Sequence, residues 1–237
     1  MDIKGASALV TGAGRGIGRA IALALGREGA VVTAVARSEG ELADLAAEAA
    51  RTGGRIVPLV ADLQKPESAQ RAVDAAREQG RLQILVNNAG VGTFAPVAEI
   101  TDEQWERTFG LNLTAVFRLS RAALPQLTDG GGYVFMISSL SGQNPGPGFA
   151  AYGASKAALD YFSHCLMMEV RQKGVRVTVL APGSVATSFP ERSGHGDESW
   201  MLTGDDVAGA LVDLLHTRDA AHLSRVDLRP ARPQKRG

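Results

Sequence analysis

The chain has 237 residues, enough for one α/β domain with a sizeable core, and 45% of them are hydrophobic, which excludes a disordered chain. Its 25 acidic and 25 basic side chains cancel, so no global field draws nucleic acid or an anionic membrane to it. The single cysteine, Cys165, excludes an internal disulfide framework and a multi-thiolate zinc site, and the reducing cytoplasm is the expected compartment.

Residues 1–8 carry no basic patch followed by an apolar stretch, so no signal peptide is expected. No run approaches the ~18 apolar residues of a spanning helix. Short apolar runs rich in β-branched residues occur at 6–10, 31–35, 56–60, 84–86, 133–137, 175–180 and 223–228. Such runs predict strands buried on both faces of a parallel sheet. Helical stretches are expected between them, over 16–28, 39–52, 66–79, 101–128, 151–173 and 205–216. Ser38 with Glu41, Thr101 with Gln104 and Thr203 with Asp206 are capping signals, and Pro66 suits a first turn. Alternating strands and helices of this kind predict a single-domain, Rossmann-like, doubly wound parallel sheet of seven strands with helices on both faces. The domain is expected to span 1–229, followed by a flexible tail at 230–237.

The first strand runs into Thr11-Gly12-Ala13-Gly14-Arg15-Gly16-Ile17-Gly18 and then a helix. Glycines there let the backbone turn tightly and approach a pyrophosphate, and the helix N-terminus offers free N–H groups. The spacing is G-x-x-x-G-x-G from Gly12, Gly16 and Gly18, because Ile17 stands where G-x-G-x-x-G needs glycine. The second strand ends Val35-Ala36-Arg37-Ser38. No carboxylate occupies its tip to bond a ribose 2′-OH, whereas Arg37 and Arg15 suit a 2′-phosphate. Ser38 adds a hydroxyl unless it caps the next helix, and Glu39 reads as a helix-start acid. The expected cofactor is therefore NADP(H).

Tyr152 and Lys156 lie four residues apart in Tyr-Gly-Ala-Ser-Lys, on one face of a helix. A nearby ammonium favours the phenolate, so the pair is a plausible acid/base device. Tyr133 and Tyr161 have no such partner.

Taken together, these motifs resemble the short-chain dehydrogenase/reductase family, in the family's order and over nearly the whole chain. Asp62, followed by Leu63, resembles the family's adenine contact. Asn88, Ala89 and Gly90, after Asn87, match the motif that ends its fourth strand. Asn112, Ser139, Tyr152 and Lys156 match its catalytic tetrad. Pro182 and Gly183, with Val185 and Thr187 after them, match the segment that closes on the nicotinamide. The resemblance implies a proton donated by Tyr152, a nicotinamide ribose held by Lys156 and a substrate oxygen bonded by Ser139. It also implies a water held by Asn112. Each residue also has a plainer reading: Ser139 as backbone satisfaction beside Ser138 and Ser141, Asn112 as a helix residue, Asp62 as a turn cap.

By the family layout, Phe94, Leu140, Gln143, Phe149, Phe189, Trp200 and Met201 line the substrate pocket, which suits a ketone, aldehyde or 3-oxoacyl group. The chain ends Ser224-Arg225-Val226-Asp227-Leu228-Arg229-Pro230 where many acyl-carrier reductases have Asp-Gly-Gly, so a 3-hydroxy-acid dehydrogenase is an open alternative. A non-catalytic NADP(H) sensor or scaffold is another. The expected partners are a small carbonyl or alcohol substrate and further copies of the chain in a homodimer or homotetramer, with no nucleic acid and no membrane. His164, Cys165, Met167 and Met168 read as core or interface residues, and His195, His216 and His222 show no metal spacing.

Overall fold

The computed structural model describes residues 1–187, 198–218 and 220–232. Each apolar run forms a strand: β1 (Ser7–Thr11), β2 (Val31–Ala36), β3 (Arg55–Val60), β4 (Leu82–Asn87), β5 (Gly132–Ile137), β6 (Val175–Pro182) and β7 (Arg225–Leu228). They make one seven-stranded sheet in the order β3-β2-β1-β4-β5-β6-β7, with every pair parallel. The order reverses at β1, whose neighbours are β2 and β4, and that reversal opens a crevice at the strands' carboxyl ends.

Alternation along the strands divides the core in two. Ala8 and Val10 of β1, with Tyr133, Phe135 and Ile137 of β5, face helices α1 (Gly16–Arg27), α2 (Glu39–Arg51) and α7 (Gly204–Leu215). Leu9, Val134 and Met136 face the other way, toward α3 (Pro66–Arg77), α5 (Ala115–Leu127) and α6 (Ala150–Val170). The expectation of strands buried on both faces holds for β1 but not for β3, whose residues alternate between exposed and covered. β3 is an edge strand, so its outer side has no neighbour, and it tolerates Pro58 there.

The capping signals are realised: Ser38 Oγ accepts from Glu41 N, and Thr101 and Thr203 form capping boxes with Gln104 and Asp206. The helix expected over 101–128 is broken. α4 (Asp102–Phe109) passes into a π turn, Gly110–Thr114, before α5 begins. One π turn widens the helix locally and re-aims the side chain it carries, here Asn112. His164 and Cys165 are exposed on α6, not in the core. Met167 packs partly against the core, and Met168 is exposed. The expected tail at 230–237 lies outside the described residues from 233 onward. Among the described residues no helix is long and apolar enough to cross a membrane.

Candidate active site

A cleft of about 480 Å³ runs along the carboxyl ends of the strands. Its floor is the loop after β1, and its walls come from the ends of β2 to β6 and the start of α6. Gly12, Gly14, Arg15, Gly16, Ile17, Arg37, Ser38, Asp62, Leu63, Asn88, Ala89, Gly90, Pro182, Gly183, Val185 and Thr187 all line it. Sites more than a hundred residues apart in sequence thus converge because parallel strands all end on the same side.

The loop is built to hold backbone N–H groups toward the cleft. Gly12 has φ +64°, and a Cβ there would lie 2.9 Å from both Ala89 Cα and Asn88 Nδ2. A Cβ on Gly18 would run into the Gly12 carbonyl oxygen, so Gly18 stands behind the loop rather than in the cleft. Asn88 Nδ2 donates to the Thr11 carbonyl at 2.8 Å and the Gly12 carbonyl at 3.2 Å, pinning the loop to the end of β4. The N-terminus of α1 has no side-chain cap and no acid in its first turn, unlike α2, α4 and α7. Its first N–H groups and its dipole remain available to an anion. A pyrophosphate fits this cradle.

Arg15, Arg37 and Ser38, from the loop after β1 and the segment after β2, line the same cleft. Ser38 Oγ accepts from Glu41 N at 3.3 Å, which leaves the hydroxyl proton free to donate. Asp62 Oδ1 accepts from Gln64 N at 3.1 Å, so it caps a turn while lining the cleft.

Ser139, Tyr152 and Lys156 line the cleft as well. Lys156 is 5% exposed. Its Nζ donates to the Ile137 carbonyl at 2.8 Å and lies 5.8 Å from the Tyr152 ring centroid. Burial lowers its pKa to about 8, against the opposing pull of the Asp160 carboxylate. Ser139 Oγ accepts from Ser141 N at 3.1 Å, so the plainer role of backbone satisfaction is also filled. The Tyr152 ring packs on Phe94 with centroids 5.1 Å apart.

Asn112 is fully buried and stands outside the cleft. Its Oδ1 accepts from Val91 N at 2.8 Å, and its Nδ2 donates to the Val91 carbonyl and Ser155 Oγ, each at 2.9 Å. It therefore ties the π turn to the segment after Gly90 and to α6. A Cβ on Gly90 would lie 3.2 Å from Asn112 Oδ1 and 3.7 Å from Lys156 Nζ, so glycine keeps the gap between them open.

The expected substrate lining is corrected at several places. Phe94 lines the cleft, but Leu140, Gln143 and Phe149 do not. Leu140 turns into the core shared by α3, α5 and α6. The Gln143 amide oxygen accepts from Arg225 Nε at 3.1 Å and Nη2 at 3.2 Å, so its polar end faces away from the reacting groups. Phe149 packs edge-on against Phe94 at 5.1 Å. Trp200 and Met201 precede α7 and do not reach the cleft. Phe189 lies outside the described residues. Eight lining residues were not expected as site residues: Val35, Ala36, Glu41, Ala61, Gln64, Leu111, Ile137 and Ser138. Glu41 had no local signal, since only the packing of α2 brings its carboxylate against Gly14.

The comparisons agree with this geometry. A family model for short chain dehydrogenase matches residues 6–197. A hydroxynaphthalene reductase-like protein of Metarhizium robertsii is 39% identical over 190 residues, covering 79% of this chain and 71% of that one. Versicolorin reductase of Emericella nidulans is 36% identical over 189 residues, covering 79% and 72%. A metagenomic short-chain oxidoreductase solved with NADP superposes with a TM-score of 0.86 at 33% identity, covering 98% of this chain and 100% of that one. With the seven-stranded sheet, the glycine cradle and this match over most of its length, the chain belongs to the short-chain dehydrogenase/reductase family of oxidoreductases.

Proposed function

We propose that the chain is an NADP(H)-dependent oxidoreductase that interconverts a ketone or aldehyde and its alcohol. The observation that carries this reading is the pair Tyr152 and Lys156, one helical turn apart at the head of the cleft, with the ammonium buried and poised near neutrality. Arg15, Arg37 and Ser38 would hold the 2′-phosphate, the loop after β1 the pyrophosphate, and Asp62 and Leu63 the adenine side. Gly90, Pro182, Gly183, Val185 and Thr187 would flank the nicotinamide. The cofactor, when bound, supplies or accepts the hydride. Tyr152 donates its phenolic proton to the carbonyl oxygen, or removes it from the alcohol. Ser139 donates a hydrogen bond to the same oxygen, where negative charge develops. Lys156 holds the ribose and stabilises the phenolate left on Tyr152. Asn112 acts through position, by fixing the backbone at Val91 and the helix at Ser155.

The named activities of the relatives favour ring ketones over an acyl-carrier substrate. So does the mostly apolar lining around Phe94, Leu111 and Val185. The catalytic unit is taken as 1–229, working in the cytoplasm. Exposed Phe117, Tyr161 and Met168 on α5 and α6 support a homodimer or homotetramer. A non-catalytic NADP(H) binder has no use for a buried lysine beside a tyrosine.

The test is loss of the NADPH absorbance band over a panel of ring ketones, aldehydes and 3-oxoacyl thioesters, with NADH in parallel. Oxidation of NADPH on at least one ketone is expected, and Tyr152→Phe should lower turnover by a factor on the order of 10² or more. Undiminished turnover in that variant, or silence across the panel with NADPH tightly bound, would overturn the reading.

A further inference from the structure

Behind the acid/base site lies a buried polar chain that the mechanism above leaves unused. Asp160 stands one turn beyond Lys156 on α6 and is 7% exposed. Its Oδ1 accepts from Ser138 Oγ, the residue before Ser139, and its Oδ2 accepts from Arg225 Nη1 at 2.7 Å. Arg225 opens β7, and its side chain is 18% exposed. It also donates through Nε to Asp227 Oδ1 at 2.9 Å and faces the Gln143 oxygen. One guanidinium thus joins the last strand, α6 and the turn after β5.

The segment 137–139 is consequently held to α6 at two successive residues: the Ile137 carbonyl by Lys156, and the Ser138 hydroxyl by Asp160. We propose, on the footing of the oxidoreductase reading, that Asp160 and Arg225 form a positioning pair for this site. The carboxylate fixes Ser139 and Lys156 relative to each other and gives Lys156 a counter-charge, which Arg225 partly screens.

The chemistry of the surroundings supports the pair. Two charges withdrawn from water are tolerated when matched and fully hydrogen-bonded, and each is costly when its partner is removed. Both Asp160 oxygens are bonded, and Arg225 has partners on three elements. The groups facing Lys156 are few. On α6 they are Tyr152 and Asp160. β5 and the turn at 140–142 present only carbonyls, hydroxyls and apolar groups, and the π turn presents the neutral Asn112. α4 packs across α6 but carries Asp102, Glu103, Glu106 and Arg107 on its exposed surface. β6 has only Arg176 among its charged residues, at the end remote from the cleft. Asp160 is therefore the one anion positioned to act on Lys156 among the described residues.

The test reads Lys156 directly. The chain has lysines only at 4, 65, 156, 173 and 235, so the ε-carbon signals of ¹³C-labelled protein are few enough to assign with Lys156→Met. The Lys156 midpoint should lie near 8 in the parent. It should fall in Asp160→Asn, which removes the counter-charge, and rise in Arg225→Gln, which removes the screen. The double variant should match Asp160→Asn alone, because Arg225 acts through the carboxylate. In turnover, Asp160→Asn should lower kcat on the order of tenfold with KM little changed, and the alkaline limb of the pH–rate profile should move with the Lys156 midpoint.

A Lys156 midpoint unmoved in both variants would make the pair a structural brace and overturn the proposal. Should Asp160→Asn fail to fold, Arg225→Gln decides alone, a raised midpoint supporting the pair and an unmoved or lowered one sinking it. The NMR reading needs no substrate, so a parent inactive on every carbonyl would sink the proposed function without deciding this question.

Discussion

Arg37 directly follows β2 and lines the cleft, as do Arg15 and Ser38. A guanidinium against a 2′-phosphate contributes roughly 1.5–3 kcal/mol as a charge-assisted bond. Arg37→Ala should therefore weaken NADPH about ten- to a hundredfold while leaving NADH nearly unchanged. Protein fluorescence titrated with each nucleotide measures both, and equal losses would show that Arg37 does not discriminate them. Arg37 was legible in the sequence because a strand tip after a glycine loop is a position with a known direction. Glu41 was not, since only the packing of α2 against the loop brings its carboxylate to Gly14. The polar end of Gln143 was misplaced for a similar reason: its partner Arg225 is more than eighty residues away.

Glycines of similar appearance carry different weight within the elements. Gly18 lies in the first turn of α1 with the Gly12 carbonyl where its side chain would be. Gly209 lies on an exposed face of α7 with nothing within 4 Å of a Cβ. Gly18→Ala should force the phosphate loop to shift, costing about 1–3 kcal/mol in stability and at least tenfold in nucleotide affinity. Gly209→Ala should instead stabilise by roughly 0.5–1 kcal/mol, as alanine does in a helix interior. Urea denaturation of both variants checks the contrast, and a stabilised Gly18→Ala would refute the account of the loop. Element positions were readable from apolar runs and caps. The π turn at Gly110–Thr114 was not, because one inserted residue leaves the apolar spacing on either side intact. Its effect is to place Asn112 between Val91 and Ser155.

For the whole molecule, a buried ammonium is a stability cost that varies with pH. The Lys156 pKa of about 8 lies below its ordinary 10.5, so the unfolded chain binds the proton more tightly. Below pH 8 both states are protonated and the folded state bears the full penalty, about 3 kcal/mol at 1.36 kcal/mol per unit. Between pH 8 and 10.5 the folded state releases the proton first, stability from this group rises with pH, and above 10.5 the penalty is gone. Lys156→Met loses the bond to the Ile137 carbonyl at every pH but avoids the penalty below 8. Its Tm relative to the parent, without cofactor, should thus be most favourable near pH 7 and decline toward pH 10.5. A difference constant over that range would place Lys156 in a wetter setting than the cleft provides. By itself the sequence determined the succession of strands and helices along the chain, the parallel sheet, the glycine cradle and the spacing of Tyr152 and Lys156, because these rest on local periodicity and short-range geometry. Only the tertiary structure decided which side chains share the cleft, that Asn112 and Gly18 stand behind it, and that Asp160 and Arg225 meet beneath it. Those facts depend on how distant segments pack, and burial and charge pairing exist only once they have.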